Sequence, residues 1–389
     1  MLMKENAVEQ FRKTELAQRT AKALLDLEAY YQSRKGSLVY GVVEAVERIS
    51  RMTREKQQAG EKEPIANLTF SLLRTELLEE RDVYLLEASD SRWFLDRTAL
   101  RTEYDASWAF RFWHRLKEEL RADLREYRGA VTEVDLERLM MKEVDKFHKY
   151  VVQLVRRAMG IAWRQPEFAA LVQDETLEVR VGEYLDMSEL VWKEDRRPRK
   201  PKQVKEWLEE KEAGAYNYEV FHGLDLSGID GSGLDLNYVR FEGCTLRGAR
   251  FAPSFMISTR WGRCDLSQAD LRVSLLHGAD FSGCVLRGAN LGGVQGAHGL
   301  PEVEGWQEPG FDEVSFAGAD LEGADLSSAD LRGADFRGAR LRGTRFTGAR
   351  LDGARFSRHS AETVELDAGQ RSAVVWVDEE RAAEGRHGA

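Results

Sequence analysis

The chain has little cysteine, little proline and, over more than half its length, little glycine. Three cysteines in 389 residues exclude a disulfide framework. None of the seven prolines lies between Pro64 and Pro166, so about a hundred residues run without an enforced helix break. No apolar run is long enough to span a bilayer, since even the stretch from Leu38 to Val46 is interrupted by Glu44. Basic residues are not in excess: 57 Lys and Arg stand against 67 Asp and Glu, a net charge of -10, which excludes a global basic field for nucleic acid. The first residues, through Gln10, Arg12 and Lys13, lack the apolar stretch of a secretory signal, so a cytoplasmic protein is expected.

What is present divides the chain in two. The hydrophobic content of 42% supports real cores, and the length fits about two domains. Only seven of the 33 glycines precede residue 217. In that first part apolar residues recur at helical spacing, as in Leu136, Leu139, Met140, Val144, Phe147 and Val151. Helices are expected near 5–33, 37–58, 64–88, 93–128, 132–159 and 166–175, all in one all-α bundle over residues 1–192. Gly129, then Thr132 with Asp135 three residues on, reads as a helix stop followed by a capping-box start. Residues 177–192 alternate briefly and read as a short strand or closing turn. Residues 193–218, with the basic run from Arg196 to Lys205, read as a solvated linker ending in a short helix at Trp207–Glu212 that caps the second half of the chain.

From residue 219 the rule changes to a period of five. Leu, Phe or a similar residue stands at 221, 226, 236, 241 and onward to 291, with Gly231 breaking the series, and again from Phe316 to Phe356. A small residue precedes nearly every centre by two places, as at Ala319, Ala324 and Ala329. Such periodicity marks a solenoid. Written out, Ala319-Asp320-Leu321-Glu322-Gly323 and Ala324-Asp325-Leu326-Ser327-Ser328 resemble the pentapeptide-repeat family. The resemblance covers about residues 219–358 and implies a right-handed quadrilateral β-helix, with four pentapeptides per 20-residue coil. The expected fold class is therefore α+β multidomain, a helical bundle followed by this solenoid, with residues 359–389 as a C-terminal cap and tail.

A 20-residue coil predicts vertical neighbours. Cys244, Cys264 and Cys284 should stack as buried, inert thiols rather than a metal or redox site, and Phe241, Trp261 and Phe281 as an aromatic core column. Asp320, Asp325, Asp330 and Asp335 should lie beneath Arg340, Arg345, Arg350 and Arg355, while Glu322 should meet Arg342 and Asp352 should meet Arg332. From Leu291 to Phe316 the phase is kept as if 20 residues had been inserted, and of two readings, one degenerate coil or a projecting loop, the prolines and acidic residues favour a loop over residues 292–314. Phe255, Ile257 and Leu275 point outward on one side below it. An outward apolar cluster marks a contact surface, which Trp306 or Phe311 could join or cover.

The first half holds no cysteine and only His114 and His148, neither in a metal-ligand or catalytic pattern, and no phosphate loop or nucleophile elbow occurs. No catalytic residue, cofactor or metal is expected. The expected function is a non-catalytic protein-interaction or scaffold protein working through Phe255, Ile257, Leu275, Trp306 and Phe311, possible as a homodimer through Val374, Val375 and Trp376. Direct nucleic-acid binding is not expected, nor is a membrane association. The family resemblance adds an alternative, an acidic rod that imitates DNA and protects a bacterial type II topoisomerase such as DNA gyrase. Against it, residues 217–358 carry a net charge of only -4, with five acids confined to the break.

Overall fold

The computed structural model describes residues 2–301, 303 and 306–378. It separates into two compact units, Met1–Arg196 with Glu302–Pro309, and Arg197–Pro301 with Gly310–Ala389. The tail from residue 379 and the acids at 302 and 304, invoked from sequence, lie outside the described residues.

The first unit opens with α1 (Leu2–Phe11), a π-helical turn and the long α2 (Ala17–Gln58). Gly36 does not stop this helix. A mid-helix glycine costs about 1 kcal/mol, less than the face of Leu27, Tyr31, Val42, Val46 and Ile49 returns on burial. The expected helix over 64–88 is instead a hairpin, β1 (Ile65–Leu72), a single turn α3 (Arg74–Leu78) and β2 (Val83–Ser89). The expected helix over 93–128 is β3 (Leu100–Asp105) followed by α4 (Ser107–Asp123). The unit is therefore not all-α. Its period in β1 is two: Leu68, Phe70 and Leu72 enter the core, while Asn67, Thr69 and Ser71 face the other way.

Helix α5 (Glu133–Ala162) starts where the sequence places it, with Thr132 and Asp135 closing a reciprocal capping box. Helix α6 is only Pro166–Ala169, and β4 (Gln173–Glu183) and β5 (Ser188–Asp195) form a full hairpin where a short strand or turn was expected. The sheet order is β3-β2-β1-β4-β5, antiparallel except for the β1 to β4 pairing. Helices α2, α4 and α5 share one core with its apolar side, so the opposite, polar side of the sheet is left to loops.

In the second unit the basic run is not simply an extended linker. Pro201, at the first helical position, begins α7 (Pro201–Glu209), and Arg199 pairs with Glu219 while lying 5.2 Å from the Phe221 ring. Val204 and Leu208 of α7 are buried over the first coil. Above them, parallel bridges recur every five residues at an offset of 20, joining Asp225 to Thr245, Asp230 to Arg250, Asp235 to Phe255 and Arg240 to Arg260. The second residue after nearly every centre takes a left-handed conformation whether it is glycine, as at Gly243 (φ 63°), or not, as at Tyr238 (φ 63°) and Val273 (φ 52°). Turn geometry here is set by the coil, and glycine is only its cheapest occupant.

Gly231 does not leave the core thin. A Cβ there would lie 2.7 Å from the Phe251 ring, which fills the missing side chain's space from one coil above. A second such site is Gly296, where a Cβ would meet Val314 at 2.5 Å. Gly296 occupies a further centre position, and Gln295 bridges Leu275 below and Asp330 above. The pairing offset across the break is 35, as in Asp280 to Ser315 and Asn290 to Asp325. The break therefore holds 15 inserted residues rather than 20, and 292–296 is a side of the solenoid rather than loop. The insertion is pinned where Gly299 and Phe311 exchange two backbone hydrogen bonds at 2.8 Å.

At the far end, α8 (Ala368–Ala373) and a last strand (Val375–Val377) cover the final coil. The Gln370 amide donates to the carbonyls of Phe346 and Ala349 at 2.7 and 2.9 Å, satisfying edge acceptors. Val375–Val377 pairs in parallel with Arg355–Ser357, and Trp376 packs 5.8 Å from Phe356. Val374 is buried and Val375 about half exposed, so most of this apolar run works as a lid.

Candidate functional site on one side of the solenoid

The position before each centre faces outward and is usually charged or polar. Asp320, Asp325, Asp330 and Asp335 lie under Arg340, Arg345, Arg350 and Arg355 at 3.6, 2.6, 3.2 and 3.3 Å. The carboxylates are largely covered and the guanidinium groups largely exposed. Among the described residues the other two expected pairs give way to different partners: Arg332 bonds Asp330 two residues away, and Glu322 meets Arg287 of the preceding coil. Exposed pairs of this kind contribute roughly 0 to 1 kcal/mol each and mainly fix registry.

Two coils depart from this rule. In the bridged series Asp235, Phe255, Leu275, Gln295 and Asp330, two consecutive apolar residues sit between polar ones. Phe255 is 50% exposed, and Leu275 and Ile257 are half-buried. Val273, 59% exposed, and Pro253 stand 20 residues apart on the same side and extend the apolar surface. The sequence reading missed these two and His277, although the 20-residue offset that aligned Phe255 with Leu275 also aligns Pro253 with Val273 and Ile257 with His277.

Backbone and side chain anchor the edge of this surface. The Ile257 N–H donates to Asn237 Oδ1 at 2.7 Å, and His277 Nδ1 donates to the Ala297 carbonyl at 2.8 Å. Burial lowers the His277 pKa from its ordinary value, which favours the neutral ring. The Phe311 ring stacks on it at 4.2 Å and 17°, so Phe311 borders the surface without covering Phe255. Trp306 is half-buried and falls in the stretch that clusters with the first unit.

The three cysteines are buried at one column, and the Cys244 and Cys264 thiols donate to carbonyls 23 residues back at 3.4 and 3.5 Å. Burial pushes the Cys284 thiol up to about 12. In the first unit, His148 lies 2.7 Å from the Tyr84 hydroxyl and burial lowers it to about 4, while His114 Nε2 is 2.7 Å from Asp82. Among the described residues no group of His, Cys, Asp and Glu is arranged to hold a metal, and no helix is long and apolar enough to cross a membrane.

The chain is similar to the family described as pentapeptide repeats, in eight copies matched at residues 220–251, 263–295, 311–348 and 319–358. The N-terminal region matches no family. No curated protein matches the chain. Among solved structures it is similar to full-length QnrB1, described as a plasmid-mediated fluoroquinolone resistance protein, at 21% identity over 41% of this chain and 71% of that one, with a TM-score of 0.19. It is also similar to HetL, a pentapeptide repeat protein involved in heterocyst differentiation regulation from Nostoc sp. strain PCC 7120 (19% identity, 41% and 84% coverage, TM-score 0.15). A third is a pentapeptide repeat protein of the Arabidopsis thaliana thylakoid lumen (20% identity, 42% and 77% coverage, TM-score 0.12).

Proposed function

We propose that this chain, whose residues 219–358 are pentapeptide repeats, is a non-catalytic binding protein that holds a protein partner on the Phe255 side of its solenoid. The right-handed, four-sided form of the coil is part of this reading, and four parallel bridges in every 20 residues support it. The observation that carries the function is the half exposure of Phe255 beside Leu275, Ile257 and Val273, on a rod whose other outward positions are mostly polar or charged. A regular solenoid has no structural use for an apolar side left in water, and contiguous apolar surface of this kind marks association.

The alternative is mimicry of DNA toward a type II topoisomerase, which needs a sustained acidic side. The covered aspartates beneath exposed arginines weigh against it. Capture from a bacterial lysate tests both readings, using the full chain and a Phe255→Asp, Leu275→Asp variant verified as folded by circular dichroism. Loss of a specific partner from the variant supports the apolar side. Equal capture by both proteins overturns it, and recovery of gyrase subunits by both would establish the alternative.

A further inference from the structure

The polar side of the first unit's sheet is closed by two loops that leave apolar side chains in water. Register sets the layer beneath them: Arg101 on β3 faces Glu87 on β2, Glu87 faces Thr69 on β1, and Thr69 faces Arg180 on β4. Four polar side chains therefore stand in one row across four strands. The loop after β2 closes over them. Asp96 in that loop is fully buried and accepts from Lys62, from the Asp90 N–H at 2.9 Å and from the N–H and hydroxyl of Thr98 at 2.8 and 2.7 Å. So tied, the loop holds Trp93 at a left-handed φ of 54°, its ring covered by Phe94 at 4.7 Å and by the Arg180 guanidinium at 5.5 Å. From the opposite end of the sheet, the turn after β4 brings up Tyr184 and Leu185, the latter also left-handed at φ 57°. Bulky residues keep that conformation only where the surroundings enforce it.

The space under the loops is filled. Ser89 Oγ and Trp93 Nε1 are sealed from solvent, so a partner can meet only the outer surface. That surface is apolar at its tips. Phe94 is 50%, Leu95 78%, Leu185 60% and Met187 85% exposed, and Phe94 and Leu185 border the same opening. Leu95 and Met187 stand almost clear of their surroundings, unlike Leu275 and Ile257, which lie half-buried on the solenoid. Behind the tips come the partly exposed rings of Trp93 and Tyr184. Cationic groups follow. The guanidinium groups of Arg92 and Arg101 are exposed while their partners, Asp90 and Glu87, are buried beneath them, so the charge turned outward is positive. Arg97 is exposed and has no carboxylate partner among the described residues. Asp186 is the acid between the two tip residues of the second loop, and its carboxylate accepts from the Met187 N–H at 2.9 Å.

We propose that these two loops dip into the headgroup layer of an anionic lipid bilayer and hold the first unit on a membrane surface without crossing it. The order of the side chains outward from the sheet carries the proposal. Phe94, Leu95, Leu185 and Met187 suit the acyl boundary, and Trp93 and Tyr184, each an apolar body with a polar tip, suit the headgroup level. Arg92, Arg97 and Arg101 then lie within reach of lipid phosphates. A lipid surface asks for no matching shape, which fits side chains that protrude separately from two loops rather than lining a groove. This runs against the expectation of no membrane association, which rested on the lack of long apolar segments. Four residues on two short loops show no period by which a sequence pattern could register them.

The test is co-sedimentation of the full chain with vesicles of phosphatidylcholine and phosphatidylglycerol at low salt, beside vesicles of phosphatidylcholine alone. The three native thiols are buried, so Leu95→Cys puts the reactive thiol at a tip, where a nitrobenzoxadiazole dye reports its surroundings. The expected result is binding to the mixed vesicles, weaker binding to the neutral ones, and a blue shift of the dye on binding. Leu95→Glu with Met187→Glu, exposed changes that leave the core intact, should abolish binding in a chain verified as folded by circular dichroism. Arg97→Gln should weaken it about fivefold, the size of one basic residue near an anionic surface. The Phe255→Asp, Leu275→Asp variant should bind vesicles as the unaltered chain does, which separates this proposal from the solenoid reading. Absence of binding to the mixed vesicles, binding unchanged in the double Glu variant, or binding lost in the solenoid variant would each overturn the proposal. So would a blue shift that grows with protein concentration without vesicles, since it would assign the tips to a second copy of the chain.

Discussion

The rings of Phe281 and Phe316 stack at 5.3 Å and 9°, although 35 residues separate them where every other step of the same column spans 20. The column runs Phe221, Phe241, Trp261, Phe281, Phe316, Phe336, Phe356 and Trp376, with successive centroids 4.4 to 5.8 Å apart. An insertion of 15 residues leaves it unbroken. The solenoid tolerates that insertion because its stability lies in core stacking, and a loop leaving at a corner removes no ring from the column.

That continuity makes the break a poor place to weaken the rod and the column a sensitive one. Phe316→Ala is expected to cost about 3–5 kcal/mol in urea unfolding. Phe255→Ala, at a half-exposed outward position, should stay within about 0.5 kcal/mol. Equal losses at the two positions would contradict the division into core column and contact side.

Restoring the repeat at its glycine break should harm the protein. Gly231→Leu supplies the consensus centre but collides with the Phe251 ring that fills the site. A destabilisation of about 1–3 kcal/mol is expected from overpacking. Adding Phe251→Ala should recover part of that loss, and a double variant less stable than the two single changes combined would count against the packing account.

Stability of the first unit should fall as the medium is acidified. Burial holds His148 at about 4 against an ordinary 6.5, so the fold favours the neutral ring. That contribution is complete above pH 6.5 and fades as pH falls toward 4, by about 3 kcal/mol in all. Guanidinium unfolding at pH 7 and pH 4 should show a difference that His148→Gln largely removes. For Asp96, burial alone would raise the pKa, but Lys62 and the loop donors outweigh it and hold the group at about 2. Its contribution is present above pH 4 and is lost only as pH approaches 2.

The thiols should be silent in the folded state. Cys244, Cys264 and Cys284 are each 1% exposed, and Cys284 is pushed up to about 12. Maleimide at pH 8 should label none of them in the native protein and all three after unfolding. Rapid native labelling would mean that the coils open far more readily than a packed column permits.

In the second unit much was legible in the sequence, because a five-residue period with large centres leaves one way to bury them. The same 20-residue offset predicted the Asp–Arg ladder and the cysteine column, and it put Phe255 and Leu275 outward on one side. It did not reveal how Gly231 and Gly296 are filled. A missing side chain is replaced by whichever neighbour reaches it, and that depends on rotamers in three dimensions.

The first unit shows where pattern ends. Thr132 and Asp135 fixed a helix start because a capping box is a local hydrogen-bonded device. The stretches at 65–72 and 83–89 alternate with period two, yet their density of Leu, Phe and Tyr also satisfies a helical count, and a strand needs a partner before it is stable. Sequence determined the repeat register, the columns it stacks and the α5 start. Only the tertiary structure decided that β1 finds β2 and β4. It also decided that Arg101, Glu87, Thr69 and Arg180 meet in one row and that Trp93 closes over them, since those neighbours come from four separate strands and a loop held by a buried Lys62–Asp96 pair.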